Sequence, residues 1–283
     1  MRPTISGFSD EIDQNFEKQL RVAGACGVKA IEIRGVNGRN IQTYTPREAE
    51  ALKEMLDARG MIVSSIGSPI GKIKITEDFA PHFEQFKNVV ELCKVLGSRY
   101  IRMFSFFVPQ GEADAWEDEV MRRLEKLADY ARRQDVVLLH ENEKEIYGDI
   151  APRCVRIMER LYSGHFQAVF DFANFIQCGQ ETMAAYEALK PYIAYVHIKD
   201  ARMASGQVTP AGWGDGRLRE ILSKLRDGGY QGFLSLEPHL TNFVGFRSLE
   251  GGNAEDKWQL DGETAYRIAL DALKALLWEI RWQ

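Results

Sequence analysis

Eight short apolar segments, each followed by an amphipathic segment, are distributed along the 283 residues of the chain. The apolar segments have the length and the β-branched or aromatic content of buried strands. The segments that follow them carry apolar residues at helical spacing, which predicts helices with one buried face. The predicted strands are Thr4–Phe8, Ala30–Arg34, Ile62–Ile66, Tyr100–Phe104, Val136–His140, Gln167–Asp171, Ile193–Ile198 and Gly232–Glu237. The predicted helices are Phe16–Cys26, Thr45–Gly60, Phe83–Leu96, Ala115–Gln134, Ala151–Leu161, Thr182–Leu189, Leu218–Arg226 and Thr264–Ile280.

This strict alternation constrains the fold because successive parallel strands need a crossover, which an intervening helix provides. Eight such units fit a closed (β/α)8 TIM barrel, whose usual size is about 250 residues. An open doubly wound sheet is the alternative, but it normally carries a glycine-rich phosphate turn after its first strand. The segment GFSDEID at residues 7–13 lacks that pattern. No linker divides the sequence, so we predict one α/β domain, a TIM barrel over residues 1–283.

Composition and charge exclude several classes of protein. The net charge of −5 disfavours a nucleic-acid partner, which usually requires a basic face. The four cysteines form no C-x-x-C pair, which indicates reduced thiols and no zinc knuckle. The first residues lack the apolar core of a signal peptide, and no run approaches the roughly 18 apolar residues of a membrane helix. We therefore expect a cytoplasmic protein that binds neither nucleic acid nor membrane.

Ionisable residues stand where the last four predicted strands end. Glu141 follows the apolar run VVLL in VLLHENE, and Asp171, His197 and Glu237 end the sixth, seventh and eighth strands. Burying an unpaired carboxylate is costly, so water or a cation must lie at these ends. In a barrel of this kind the carboxyl ends of the strands form the face that carries the chemistry. We therefore expect these four side chains to converge.

Three carboxylates and one imidazole are a suitable ligand set for a divalent ion of intermediate hardness. Mn²⁺ is the ion we expect first, with Mg²⁺, Co²⁺ and Fe²⁺ as alternatives. Zn²⁺ is also an alternative, although structural zinc sites favour thiolates and imidazoles. Taken singly, each acid also suits a helix N-cap or a salt bridge, and a lone histidine suits a hydrogen-bonded core. The coincidence of four ligand types at four matched positions favours the metal site.

Further polar and aromatic residues are candidates for contacts with substrate. The alternative for those on strands is polar filling of the barrel interior, and for those in loops it is solvation or packing. The candidates are Glu32, Arg34, Arg102, Lys199, Arg202, Trp213 and His239. The longest irregular stretch, Thr241–Gly262, has the length of a functional lid, which Phe243, Phe246 and Trp258 are expected to close.

The segments HENE, DFANF, HIKDA and LEPH, each at a strand end, carry a family resemblance. The chain resembles the sugar phosphate isomerase/epimerase family of xylose isomerase-like barrels over essentially its whole length. That family includes ketose 3-epimerases, hydroxypyruvate isomerases and inosose dehydratases. The resemblance implies that Glu141, Asp171, His197 and Glu237 hold one divalent metal. Asn174 is a departure, because ketose 3-epimerases usually have a histidine there; asparagine can bind a sugar hydroxyl but cannot shuttle a proton.

The function we expect is metal-dependent isomerisation or epimerisation of a keto-sugar or related polyol through an enediolate. Glu141 and Glu237 would remove and return the proton from opposite sides. A dehydratase acting on a keto-inositol or 3-keto sugar is the alternative within enzymes, and a non-catalytic sugar-binding protein is a more remote one. An abasic-site endonuclease of the same barrel type would need more than the five histidines present.

Two further features bear on partners. No glycine-rich phosphate cradle is present, which favours a substrate without phosphate. The apolar final helix, ALKALLWEIRW, is a candidate interface for a homo-oligomer.

Overall fold

Eight parallel strands form one sheet in the computed structural model, which describes residues 2–241 and 260–283. Around the sheet β1 is followed by β8, and the order then runs down to β2. A parallel bridge between Phe8 and Glu32 closes β1 against β2. The prediction of a TIM barrel is confirmed. The strands are β1 Thr4–Gly7, β2 Ala30–Ile33, β3 Ile62–Gly67, β4 Tyr100–Met103, β5 Val137–Glu141, β6 Phe166–Asp171, β7 Ile193–Ile198 and β8 Phe233–Leu236.

Helices cover the outside of the sheet, as crossover connections require. In the described ranges they are α1 Phe16–Ala25, α2 Pro46–Asp57, α3 Phe79–Val95, α4 Ala113–Arg133, α5 Ala151–Leu161, α6 Phe172–Gln177, α7 Thr182–Leu189, α8 Leu218–Asp227 and α9 Gly262–Glu279. Short 3-10 helices lie at Ser9–Glu11 and Ile41–Thr43. Two small hairpins pair Gly35–Val36 with Arg39–Asn40 and Asp200–Ala201 with Val208–Thr209.

One helix was not predicted from the sequence, and another begins a full turn earlier than predicted. A short extra helix, α6, begins directly after β6 because Asp171 Oδ1 accepts a hydrogen bond from Asn174 N at 2.8 Å. The third helix begins at Phe79 rather than Phe83, because Asp78 accepts a hydrogen bond from Ala80 N and caps it there. Both starts depend on an aspartate N-cap.

The inward faces of the strands are layered. Near the amino-terminal end, Val137, Leu139, Val169 and Tyr195 form a small apolar cluster inside the barrel. The Tyr195 hydroxyl then contacts Ser64 Oγ at 2.8 Å, which begins a polar layer. Continuing the same alternation along β5 and β7 brings ionisable side chains inward at the carboxyl end. The interior thus changes from apolar to charged along its axis.

Outside the barrel, no described helix is both long and apolar enough to cross a membrane. The four cysteines are all free.

On α9, Trp278 is 70% exposed. The use of this helix in an oligomer stays a prediction.

Packing between α3 and α4 can be tested at Phe86, which is fully buried and meets Tyr130 edge-on at 5.8 Å. We expect Phe86→Ala to lower the free energy of unfolding by about 3–5 kcal/mol, because it removes a large apolar side chain and leaves a cavity. Trp278→Ala, on the exposed side of α9, should change it by less than about 0.5 kcal/mol. Urea unfolding measures both; equal losses in the two variants would contradict the packing described.

Candidate functional site

The four expected ligands lie together at the carboxyl ends of β5 to β8. All four are buried, and one ligand atom from each lies within 4.8 Å of the others. His197 Nδ1 is 3.0 Å from Glu141 Oε1, 3.6 Å from Glu237 Oε2 and 3.8 Å from Asp171 Oδ2. The parallel register aligns Asp171 with His197, which places neighbouring strand ends at one depth. The imidazole nitrogen is therefore surrounded by three carboxylates.

Two oxygens in this cluster lack hydrogen bonds. Asp171 Oδ2 and Glu141 Oε2 are buried and accept no hydrogen bond from the described residues. Lys199 Nζ lies 3.2 Å from the first, and Arg102 Nε lies 3.4 Å from the second. Orphaned buried oxygens are costly, and they are the atoms a cation would satisfy. This donor set fits a divalent metal ion.

His197 is oriented by Glu32. His197 Nε2 lies 3.1 Å from Glu32 Oε2, which also accepts a hydrogen bond from Ser235 Oγ at 2.7 Å. A histidine that binds metal commonly gives its other ring N–H to a carboxylate, which leaves its first nitrogen free to be a ligand. Glu32 is fully buried beneath His197. Glu32 thus supports His197 from the barrel interior, and its expected contact with substrate stays a prediction.

The charges of these groups perturb one another. Burial raises the pKa of Asp171 to about 7, and Glu237 and Glu141 add to this rise, although Lys199 and His197 oppose it. Burial also disfavours the charged form of Glu141, yet His197 and Arg102 hold its pKa at about 2. Lys199 and His197 therefore do not fully offset the burial of the Asp171 carboxylate, whereas Glu141 is ionised at neutral pH.

Asparagines fix the geometry between β5 and β6. Asn142 exchanges two hydrogen bonds with the backbone of Asp171, both at 3.0 Å. Asn174 Nδ2 donates to Glu141 Oε1 at 3.1 Å and to Asn142 O at 2.9 Å. Asn174 Oδ1 is buried and accepts no hydrogen bond from the described residues. Asn174 therefore holds Glu141 in place and has one oxygen left for another partner.

Glu237 lies among three basic side chains. Arg34 Nη1 donates to its Oε1 at 3.2 Å, and His239 Nε2 lies 3.2 Å from the same oxygen. Lys199 Nζ is 3.0 Å from its Oε2. Burial alone would raise the pKa of Glu237, but Lys199 and His239 hold it well below the usual value. Arg34, Lys199 and His239 were expected to contact substrate. In the structure each of them contacts Glu237, one of the four ligands.

Arg102 lies on the opposite side of the cluster. Its guanidinium is 4.6 Å from the centre of the Phe104 ring and 5.3 Å from that of Phe8. Its Nε, near Glu141, is buried and makes no hydrogen bond with the described residues. Stacking on rings leaves the donors of a guanidinium available to oxygen atoms of a bound molecule.

The loop residues proposed from sequence lie farther out. Arg202 is exposed in the turn of the hairpin after β7, and no hydrogen bond or ion pair joins its side chain to the ligand cluster among the described residues. Arg202 is turned away from the cluster because the chain reverses after Ala201. Its contact with substrate stays a prediction. Trp213 is 57% exposed rather than a wall of the cluster. The proposed lid residues Phe243, Phe246 and Trp258 lie outside the described residues.

Sequence reasoning missed two buried carboxylates, Asp200 and Glu11. Asp200 accepts four backbone hydrogen bonds, and those from Gly212 and Gly214 go to its Oδ2 at 3.0 Å. Bonds from Ala201 and from Gly216 go to Oδ1. An acid beside a glycine-rich loop such as PAGWGDG is the signal that could have indicated this role. Glu11, in GFSDEI, contacts Arg34 and the backbone of His239.

The fold agrees with what comparison with known proteins shows. A model of the xylose isomerase-like TIM barrel matches residues 20–276. The chain belongs to this family. The resemblance expected from the four strand-end motifs is confirmed.

Relatives of this xylose isomerase-like barrel have different chemistries. A 3-dehydroshikimate dehydratase from Bacillus anthracis is 22% identical over 210 residues, which cover 72% of this chain and 70% of that protein. A solved L-ribulose 3-epimerase superposes with a TM-score of 0.78 at 19% identity, covering 99% of this chain and 96% of that one. A structure of the IOLI protein with a bound zinc atom gives a TM-score of 0.76 at 16% identity, covering 99% of each chain. These structural likenesses establish the fold.

The role of Asp200 can be tested with Asp200→Asn, which keeps the shape but replaces one acceptor oxygen by an NH2 group. We expect a loss of roughly 2–4 kcal/mol in unfolding free energy, because two N–H groups lose a charged acceptor. Amide hydrogen exchange should accelerate either at Gly212 and Gly214 or at Ala201 and Gly216, according to which oxygen the NH2 group replaces. Asp215→Asn, in the same loop, is the control. Unchanged exchange at all three glycines in the Asp200 variant would show that the carboxylate does not organise the loop.

Proposed function

We propose that this protein is a divalent-metal-dependent sugar isomerase or epimerase that acts on a keto-sugar or related polyol. The observation that carries the proposal is the cluster of four buried ligand atoms within 4.8 Å of one another. Asp171 Oδ2 and Glu141 Oε2 support the proposal, because neither accepts a hydrogen bond from the described residues and a bound cation would satisfy both. The small-molecule substrate would enter from the carboxyl-end face of the barrel.

The proposed metal ligands are Glu141, Asp171, His197 through Nδ1, and Glu237. Mn²⁺ is the ion we propose first, because three carboxylates and one imidazole suit it well. The zinc atom bound in the related IOLI structure shows that a barrel of this shape accommodates a divalent ion. Glu32, which faces Nε2 of His197 at 3.1 Å, would keep Nδ1 available as a ligand.

Proton transfer is assigned to Glu141 and Glu237, which come from β5 and β8. When bound, the divalent ion supplies Lewis-acid stabilisation of the negative charge that develops on an enediolate. His197 and Arg102 hold the pKa of Glu141 below its usual value, so its carboxylate is ionised at neutral pH and can accept a proton. Glu237 comes from β8, which is three strands away from β5 around the barrel. The two carboxylates would therefore face a substrate from different sides.

The remaining polar groups would bind substrate oxygens. Arg102 offers guanidinium donors beside Glu141, and Asn174 offers Oδ1, which accepts no hydrogen bond within residues 2–241 and 260–283. Lys199 and His239 flank Glu237 and would contact hydroxyl or carbonyl oxygens on that side. A polar pocket of this kind suits a hydroxylated substrate, because each buried donor or acceptor needs a partner.

A dehydratase is the second candidate, supported by the 22% identical 3-dehydroshikimate dehydratase. The same base would remove the proton beside a carbonyl group of a keto-inositol or 3-keto sugar. Loss of a β-hydroxyl as water would then follow in place of reprotonation. Asn174, which cannot transfer a proton, is compatible with either course.

The two functions are separated by incubating the Mn²⁺-loaded protein in deuterated water with ketoses, keto-inositols and 3-keto sugars. An isomerase or epimerase incorporates deuterium at the carbon beside the carbonyl group, whereas a dehydratase releases one water per turnover. Glu141→Gln should lower either rate by at least about 100-fold, because it removes the base while keeping the fold. Glu145→Gln, exposed in the same loop, is the control. Wild-type rates in the Glu141 variant would eliminate it as acid/base; bound metal with neither reaction would favour a sugar-binding protein.

Metal binding is tested with Asp171→Asn, which retains an oxygen able to cap α6 but removes one charged ligand. Mn²⁺ affinity should fall by more than about 100-fold, a larger loss than removal of an outer-shell partner causes. In chelator at pH 8 the variant should unfold at the same or a higher temperature, because the raised pKa shows that the Asp171 charge is disfavoured in the folded state. Unchanged metal content by elemental analysis would remove Asp171 from the ligand set.

A further inference from the structure

A buried carboxylate to which the proposed reaction gives no role lies beside Glu237. Glu11 ends the 3-10 helix that follows β1 and is 2% exposed. Its Oε2 accepts a hydrogen bond from the backbone N–H of His239 at 2.7 Å, and its Oε1 accepts one from Arg34 Nη2 at 3.2 Å. Both oxygens of Glu11 are therefore bound by groups that follow β8 and β2.

Arg34 and His239 also reach one and the same oxygen of Glu237. Arg34 Nη1 donates to Glu237 Oε1 at 3.2 Å, and His239 Nε2 lies at the same distance from it. The other oxygen, Oε2, is turned toward the ligand cluster, 3.6 Å from His197 Nδ1. The two oxygens of Glu237 thus have different surroundings, and Glu11 contacts both groups that create the difference.

The backbone around Glu11 is constrained from two directions. His239 has φ of +46°, a left-handed conformation that is uncommon for a residue other than glycine. The bond from its N–H to Glu11 Oε2 compensates for part of that strain. On the other side, a Cβ on Gly262 would lie 2.2 Å from the carbonyl oxygen of Glu11, so the first residue of α9 packs directly on this backbone. Glu11 is therefore held rigidly.

We infer that Glu11 is a positioning residue for Glu237. Through Arg34 and His239 it fixes Oε1 of Glu237 away from the ligand cluster, so that Glu237 presents only Oε2 to a metal ion. This inference rests on the proposed metal-dependent function. It assigns to Glu11 an effect on the metal site even though Glu11 contacts none of the atoms that would coordinate the ion.

The test is the affinity for Mn²⁺, measured by isothermal titration calorimetry on the full chain. In Glu11→Gln one amide NH2 group must face either Arg34 Nη2 or the N–H of His239, because glutamine has a single acceptor oxygen. We expect affinity for Mn²⁺ to fall 10- to 100-fold, the loss typical when a partner of a metal ligand is removed. Once a substrate is known, kcat should fall more than KM rises, because the reacting carboxylate is misplaced.

Asp10→Asn is the matched control. Asp10 binds the same guanidinium as Glu11, with two hydrogen bonds from Arg34 at 2.8 and 3.1 Å. Among the described residues it makes no hydrogen bond or ion pair with His239 or Glu237. We expect this variant to bind Mn²⁺ nearly as wild type does, since Arg34 retains Glu11 and Glu237. Glu11→Asp, which keeps the charge but shortens the reach, should weaken Mn²⁺ binding and serves as the second variant if Glu11→Gln does not fold.

The outcomes separate the inference from the proposed function. Absence of Mn²⁺ binding in the wild type would overturn the metal-dependent function itself. Wild-type binding with unchanged affinity in both folded Glu11 variants would overturn only the positioning role. Equal weakening in the Asp10 and Glu11 variants would also overturn it, because the effect would then be the charge near Arg34 alone.

Discussion

Negative charge buried at the mouth of the barrel has to be compensated, and this requirement accounts for the arrangement of the strand ends. Five buried carboxylates face the basic side chains of two arginines and one lysine. The carboxylates are Glu11, Glu32, Glu141, Asp171 and Glu237, and the cations are Arg34, Arg102 and Lys199. Charges this deep must be paired. A divalent ion bound among Glu141, Asp171 and Glu237 would compensate further negative charge, and it would require the uncharged form of His197, in which Nδ1 can be a ligand.

The strands supply these charges because their side chains alternate. Positions 137, 139 and 141 of β5 face inward, so the same strand contributes two apolar residues to the base of the barrel and one acid to its mouth. β7 does the same with Tyr195 and His197. The apolar base holds the strands at fixed spacing, and that spacing brings the acids within bonding distance of one ion. Stability and chemistry thus use opposite ends of the same strands.

The sequence predicted the barrel and the four proposed ligands because both follow from periodicity and from the ends of apolar runs. Glu141 and Asp171 could be found since each interrupts a run that would otherwise continue. Glu11 could not be found this way, because it lies in a 3-10 helix where strand alternation has already ended. Its partner His239 has a left-handed backbone that no local pattern indicates.

Asp200 shows a second limit of sequence reasoning. Its partners are backbone N–H groups of a loop up to 16 residues away. Every residue except proline has such a group, so the sequence does not indicate which of them will bind the carboxylate. Arg202 shows the converse: its charge and spacing predict a substrate contact, but they do not predict the reversal of the chain after Ala201 that leaves it exposed. Loop conformation, rather than residue type, decided both cases.

The two residues that flank positions 242–259 are tied to each other, as Thr241 Oγ1 donates to Leu260 O at 2.8 Å. Gly262 then anchors the following helix on the backbone of residues 11 and 12. The cost of closing a segment whose ends are already joined grows only slowly with its length. The sequence between residues 241 and 260 can therefore change without separating β8 from α9, which gives one scaffold the means to acquire new specificities.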